Sequence, residues 1–194
     1  GDLDLFIGGR ITPGKYPMPA ESFLLRNDTK NGVPKFINIT QEIIPHINQS
    51  GMVSAALWSD FDHDGWMDLV ITGEFLPIRF YRNNKGKFEE PTNLENSSGW
   101  WNSLAAGDFD LDGDIDYLAG NLGLNSHFKS TAKEPLCIYA KDFNKDGRID
   151  PIMSYYTQGI NYIGHPRDVL IDQINMITVW CVTCCGEWYF GCLS

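Results

Sequence analysis

The chain has 194 residues and a formal net charge of -10, with 25 Asp and Glu against 15 Lys and Arg. That length is enough to bury a sizeable core, and the acidity argues against nucleic acid or an anionic membrane surface as a partner. Before residue 176, Gly, Pro and charged residues cut every apolar run well short of the ~20 residues a membrane span needs.

In chain order, the opening Gly1-Asp2-Leu3-Asp4-Leu5 matches Gly113-Asp114-Ile115-Asp116-Tyr117 further on and reads as the end of a truncated loop. No signal peptide is present in this stretch, and a chain that starts inside a loop is expected to be a fragment. A Gly/Pro-rich insertion, Gly8 to Ala20, comes next. Leu25-Arg26-Asn27, a polar turn, and the run from Lys35 to Thr40 then read as a β-hairpin. Ser54 to Ser59, a small-residue strand, leads into the first complete loop, Asp60-Phe-Asp62-His-Asp64-Gly65-Trp66-Met-Asp68, and the apolar Leu69-Val-Ile-Thr72 leaves it. A second hairpin follows, Tyr81-Arg82-Asn83 and Lys87 to Thr92 around Asn84-Lys85-Gly86. Ser103 to Gly107 introduces Asp108-Phe-Asp110-Leu-Asp112-Gly113-Asp114-Ile-Asp116. Asn121 to Pro135 stands where a further hairpin would, with a turn of helix expected in Asn121 to Phe128. The third loop is Asp142-Phe-Asn144-Lys-Asp146-Gly147-Arg148-Ile-Asp150, in a last unit expected to lack its hairpin.

All three loops read D-x-[DN]-x-D-G-x-x-D. Alternate oxygen donors with a glycine at position 6 suit a hard cation, and calcium accepts six to eight oxygens at roughly 2.3–2.6 Å in a forgiving geometry, whereas magnesium demands a near-ideal octahedron. Side chains at positions 1, 3, 5 and 9 are the candidate ligands: Asp60, Asp62, Asp64 and Asp68; Asp108, Asp110, Asp112 and Asp116; Asp142, Asn144, Asp146 and Asp150. The position 7 carbonyls of Trp66, Asp114 and Arg148 complete each set, and Asp4 belongs to the truncated copy. An EF-hand would close with Glu at position 12 between helices, but that position holds Ile71, Ala119 and Met153, inside β-prone runs. Three divalent ions, about one per complete loop, would move the net charge from -10 to -4.

Position 9 recurs at Asp4, Asp68, Asp116 and Asp150, with strands and hairpins between. Four-stranded units repeating every 40–50 residues are the signature of a β-propeller. The fold expectation is therefore all-β. Blade units would end near residues 50, 100, 135 and 175, and residues 1–175 would form a partial propeller of about three to four blades.

With the Arg-Asn…Lys-Phe hairpin, these loops resemble FG-GAP/VCBS repeats, the calcium-binding blades of integrin alpha chains and of many bacterial cell-surface proteins. Asn121 to Asn125 through Asp172 to Asn175 is similar to the large VCBS-repeat proteins of the ASPIC/UnbV type in Bacteroidetes. The resemblance covers about residues 1–175. It implies seven blades in a whole propeller, with the remaining blades elsewhere in the parent chain, and the fifteen loop positions named above as metal ligands. It further implies structural calcium, a secreted, outer-membrane or cell-surface location, and a scaffold that binds or adheres to a protein or glycan. The alternative is a non-catalytic propeller domain of a larger secreted hydrolase or oxidoreductase.

Trp100 and Trp101, in a connector, are weak candidates for a ligand face. Their expected role is packing, with Trp66 at a loop tip. His63, at position 4, should point away from an ion. Neither a G-x-S-x-G elbow nor a P-loop is present, and the available carboxylates are committed to the loops, so no enzymatic activity is expected. Cys137 reads as a lone buried thiol. Residues 176–194 form an atypical tail, with four of the five cysteines and Glu187 as the one charge after residue 176. The shift points to non-native sequence read in the wrong frame, expected to add no strand. Cys181-Val-Thr-Cys184 lacks the second pair of a zinc site.

Overall fold

The computed structural model describes residues 3–123, 126–174 and 191–193. These are predominantly β, as the alternating and β-branched runs require, and divide into two compact units: Gly1–Arg10 with Pro19–Asn121, and Ile11–Met18 with Leu122–Ser194.

In the first unit, β1 (Leu5–Ile7), β2 (Phe23–Asn27) and β3 (Phe36–Asn38) form an antiparallel three-stranded sheet. The β3 run stops before Thr40 because that residue starts a short helix, α1 (Thr40–Ile43), and its buried Oγ1 accepts the Leu24 N–H at 2.8 Å. A 3₁₀ turn over Pro45–Gln49 leads to β4 (Met52–Ser59). After the first loop come β5 (Asp68–Leu76), β6 (Arg79–Tyr81), the small hairpin β7 (Asn83–Asn84) and β8 (Lys87–Phe88), then β9 (Thr92–Asn93) and β10 (Gly99–Gly107). The second loop leads to β11 (Asp116–Asn121).

The expected hairpins are present at both Arg-Asn sites, with Leu25 opposite Asn38 and Asn83 opposite Phe88. One larger sheet has the order β11-β10-β5-β6-β9, with β4 also on β5. The strands around the first two loops are thus connected in one sheet. The link is β10, which pairs with β5 at Gly99 and Trp100 and with β11 from Trp101 to Gly107. Every residue of β5 is buried, as befits a central strand paired with β4, β6 and β10. Gly73 permits the close approach of β4: a Cβ there would lie 1.9 Å from the Met52 carbonyl oxygen. Glu74, 1% exposed, is compensated by an ion pair with Arg10. Leu24, Ile44, Ile47, Val53, Leu69, Ile71, Tyr81 and Phe88 form the core of this unit.

The second unit is built on the sheet β14-β13-β12-β15, from β12 (Leu136–Lys141), β13 (Asp150–Thr157), β14 (Ile160–Ile163) and β15 (Gly191–Leu193). Four expectations are corrected here. The third loop is followed by a hairpin, because Gln158 and Gly159, at φ 53° and 79°, supply the two left-handed residues of a tight β-turn. The described part of 121–135 contains no helix; Gly123 and Pro135 interrupt a run without helical periodicity. The tail mostly lies outside the described residues, but β15 does add a strand to β12, with Cys192 opposite Cys137 in register. Cys137 is buried as expected, yet it is disulfide-bonded rather than a free thiol. Helix α2 (Arg167–Gln173) packs Leu170, with Ile174, against Ile152.

Candidate metal centre

Each complete loop joins two antiparallel strands: β4 to β5, β10 to β11, and β12 to β13. Two backbone positions per loop are left-handed. Position 6 is Gly65, Gly113 and Gly147 at φ 87°, 97° and 88°, where glycine carries no steric penalty. Position 4 is His63, Leu111 and Lys145 at φ 58°, 65° and 62°, and His63 and Leu111 are clearly exposed. His63 Nε2 sits 3.7 Å from Asp114 Oδ1, so the first two loops are neighbours on one edge of the sheet.

The carboxylates organise the loop before any ion is considered. The position 1 oxygens accept the N–H groups of positions 5 and 6: Asp60 from Asp64 and Gly65 at 3.0 and 2.9 Å, Asp108 from Asp112 and Gly113 at 3.1 and 3.0 Å, and Asp142 from Asp146 and Gly147 at 3.0 and 2.9 Å. Position 3 accepts the position 5 N–H, and position 5 accepts the position 7 N–H, in all three. Position 9 reaches back to the N–H of position 2: Asp68 to Phe61, Asp116 to Phe109 and Asp150 to Phe143, at 3.1, 2.9 and 3.0 Å. The same network recurs in three sequence contexts because the repeated residue types dictate it.

The result is convergence of like charge. Asp60, Asp62 and Asp68 each place a carboxylate oxygen within 4.8 Å of the others, as do Asp108, Asp110 and Asp116. Packing carboxylates this closely is unfavourable without a counter-cation. The donor set is entirely oxygen, which fits a hard divalent ion such as calcium and not zinc. The side chains of positions 1, 3, 5 and 9 would hold calcium, with the position 7 carbonyl, and the ion would supply charge neutralisation and rigidity.

The loops differ around position 9. Asp68 is fully buried and accepts the Asn83 N–H at 2.7 Å with its second oxygen. Burial pushes its pKa above the ordinary carboxylate range; the Asn83 and Phe61 N–H groups oppose this, while the charges of Asp62 and Asp64 add to it. Asp4 receives the Asn27 N–H at 2.9 Å in the same way. At Asp150 the hairpin donor is replaced by Gln173 Nε2 at 3.0 Å, and the Gln173 carbonyl accepts Asn144 Nδ2. Among the described residues, Asp116 has no such second donor. Arg82 also pairs with Asp62 and Asp64, and the hydrogen bond and charge of Asp62 raise its pKa.

Sequence reasoning located the loop positions but missed Arg82, Asn83 and Gln173 as their supports. The recurrence of Arg-Asn at 26–27 and 82–83 was the available signal. Trp100 and Trp101 lie within β10 rather than in a connector, and both are half-buried. Trp100 packs on Phe75 with ring centres 5.4 Å apart, and Trp101 Nε1 donates to the Ser97 carbonyl at 2.9 Å. Trp66 is 43% exposed.

Residues 60–119, spanning the first two loops and the strands between them, match the family model described as an FG-GAP-like repeat. No curated protein and no solved structure matches the chain. FG-GAP-like repeats are scaffold modules typical of extracellular or surface proteins, and no helix among the described residues is long and apolar enough to cross a membrane.

Proposed function

We propose that this chain is a calcium-stabilised, non-catalytic β-propeller scaffold of a secreted or cell-surface protein, recognising a protein or glycan. The observation that carries the reading is the recurrence of one hydrogen-bonded carboxylate loop in three strand connections, two of them inside the FG-GAP-like match. Calcium serves structure: it neutralises carboxylates that otherwise repel, so binding and folding are coupled. Catalysis is a poor use of these groups, because a bound cation holds each carboxylate ionised and unavailable for proton transfer. The VCBS subtype and the ASPIC/UnbV relationship belong to the same proposal, as do the blade limits within 1–175. Loops 1 and 2, adjacent on one edge with Trp66 exposed between strands, are the surface offered to a partner.

Thermal melts in chelator and in millimolar calcium test the reading. A rise in melting temperature with calcium, larger than with equal magnesium, is expected. Identical melts in chelator and calcium would overturn it.

A further inference from the structure

Resting on the calcium reading above, we infer that Arg82 is a tethered counter-cation that competes with the metal at the first loop and sets that loop's affinity below that of the second. Arg82 Nε donates to Asp62 Oδ2, and Nη2 lies 3.3 Å from Asp64 Oδ2. The Oδ1 atoms of the same two residues accept backbone N–H groups of the loop. Arg82 therefore takes the oxygens that the loop's own backbone leaves open, at the two positions where a cation would also draw its ligands.

The repeat supplies an independent comparison. Arg26 precedes Asn27 as Arg82 precedes Asn83, and both asparagines donate their N–H to the position 9 carboxylate. Arg26, beside the truncated copy that carries no position 3 or 5, pairs instead with Asp28, two residues on, through two bonds at 2.8 and 3.2 Å. The residue two on from Arg82 is Asn84, which has no charge to offer. In the second loop, Asp110 and Asp112 pair with no Arg or Lys among the described residues. A charge held this close to a divalent ion repels it whether the guanidinium stays or swings away.

Terbium can stand in for calcium, and Trp66 at position 7 makes its sensitised emission a reporter of the first loop, since Asp114 and Arg148 occupy that position elsewhere. With the whole chain, Arg82→Gln should tighten this emission-detected site about tenfold, as one unit charge acting on a divalent ion in a water-like, salt-screened medium implies. Asn84→Asp should also tighten it by capturing Arg82 locally, and should add little on top of Arg82→Gln. In chelator, Arg82→Gln should lower the melting temperature, and saturating calcium should erase that difference. An unchanged or weaker site in Arg82→Gln, with the wild type still binding, would overturn the role of Arg82. Absence of terbium emission and of calcium heat in both proteins would instead overturn the metal reading on which it rests.

Discussion

Asp68→Ala isolates the buried anchor of the first loop from the proposed role of that residue as a metal ligand. The side chain is fully buried and accepts two backbone N–H groups, from Phe61 at 3.1 Å and Asn83 at 2.7 Å, tying the loop to β5 and to the following hairpin. Hydrogen bonds to a charged group contribute about 1.5–3 kcal/mol each, and truncation leaves both donors without the carboxylate. Relief from burying a charge offsets part of this, which leaves a net loss of about 3 kcal/mol. For a chain of this size that is roughly 6–12 °C of melting temperature. Asp64→Ala is the control: Asp64 is also a candidate ligand, but its bonds are to its own loop and to exposed Arg82, so its loss in chelator should stay near ~1 kcal/mol. Both should lose calcium-dependent stabilisation. Melts followed by circular dichroism, in chelator and in calcium, separate the two effects. If Asp68→Ala in chelator melts within a degree of Asp64→Ala, the anchoring argument fails.

The raised pKa of Asp68 makes part of the calcium-free stability pH-dependent. A carboxyl with a raised folded pKa destabilises the fold while ionised, so its contribution improves as pH falls through that pKa and is complete below the ordinary 3.8; wild type and Asp68→Asn melts in chelator should converge or cross in this direction, and a gap independent of pH from 7 to 4 would refute it. Gly73→Ala places a methyl 1.9 Å from the Met52 carbonyl oxygen, so β4 must separate from β5, and chemical denaturation should show a loss of about 3 kcal/mol. Deleting residues 177–194 removes β15 from β12, whose Leu136, Cys137 and Ile138 are buried; the melting temperature should fall by several degrees, and an unchanged melt would restore the view of the tail as dispensable.

The acidic loops and the hairpins were legible because their residues act locally. A glycine at position 6 and oxygens at alternate positions specify the turn almost regardless of context, and the same bonds appear in all three copies. Long-range pairing was not legible. Nothing in Gly99-Trp100-Trp101 announces that β10 bridges β5 and β11, since either neighbour satisfies the same alternation. The hairpin after the third loop rests on Gln158-Gly159, a weaker turn signal than Asn-Gly. Helix α2 is one buried leucine on a short polar segment, too little for periodicity to find. Gln173 replaces a backbone donor with a side-chain donor, and Arg82 reaches Asp62 and Asp64 from a residue 18 to 20 positions further along the chain. The Cys137 disulfide likewise depends on pairing between distant segments.

The central claim is that the repeated loops bind calcium. Calorimetric titration of the calcium-free chain tests it most directly, alongside Asp64→Ala and Asp112→Ala. About three sites are expected, with the weakest at Asp142–Asp150, where Asn144 replaces a carboxylate and Lys145 and Arg148 reduce the negative field. Each variant should lose one site and keep the others. No heat at millimolar calcium, or a titration unchanged by both substitutions, would contradict it.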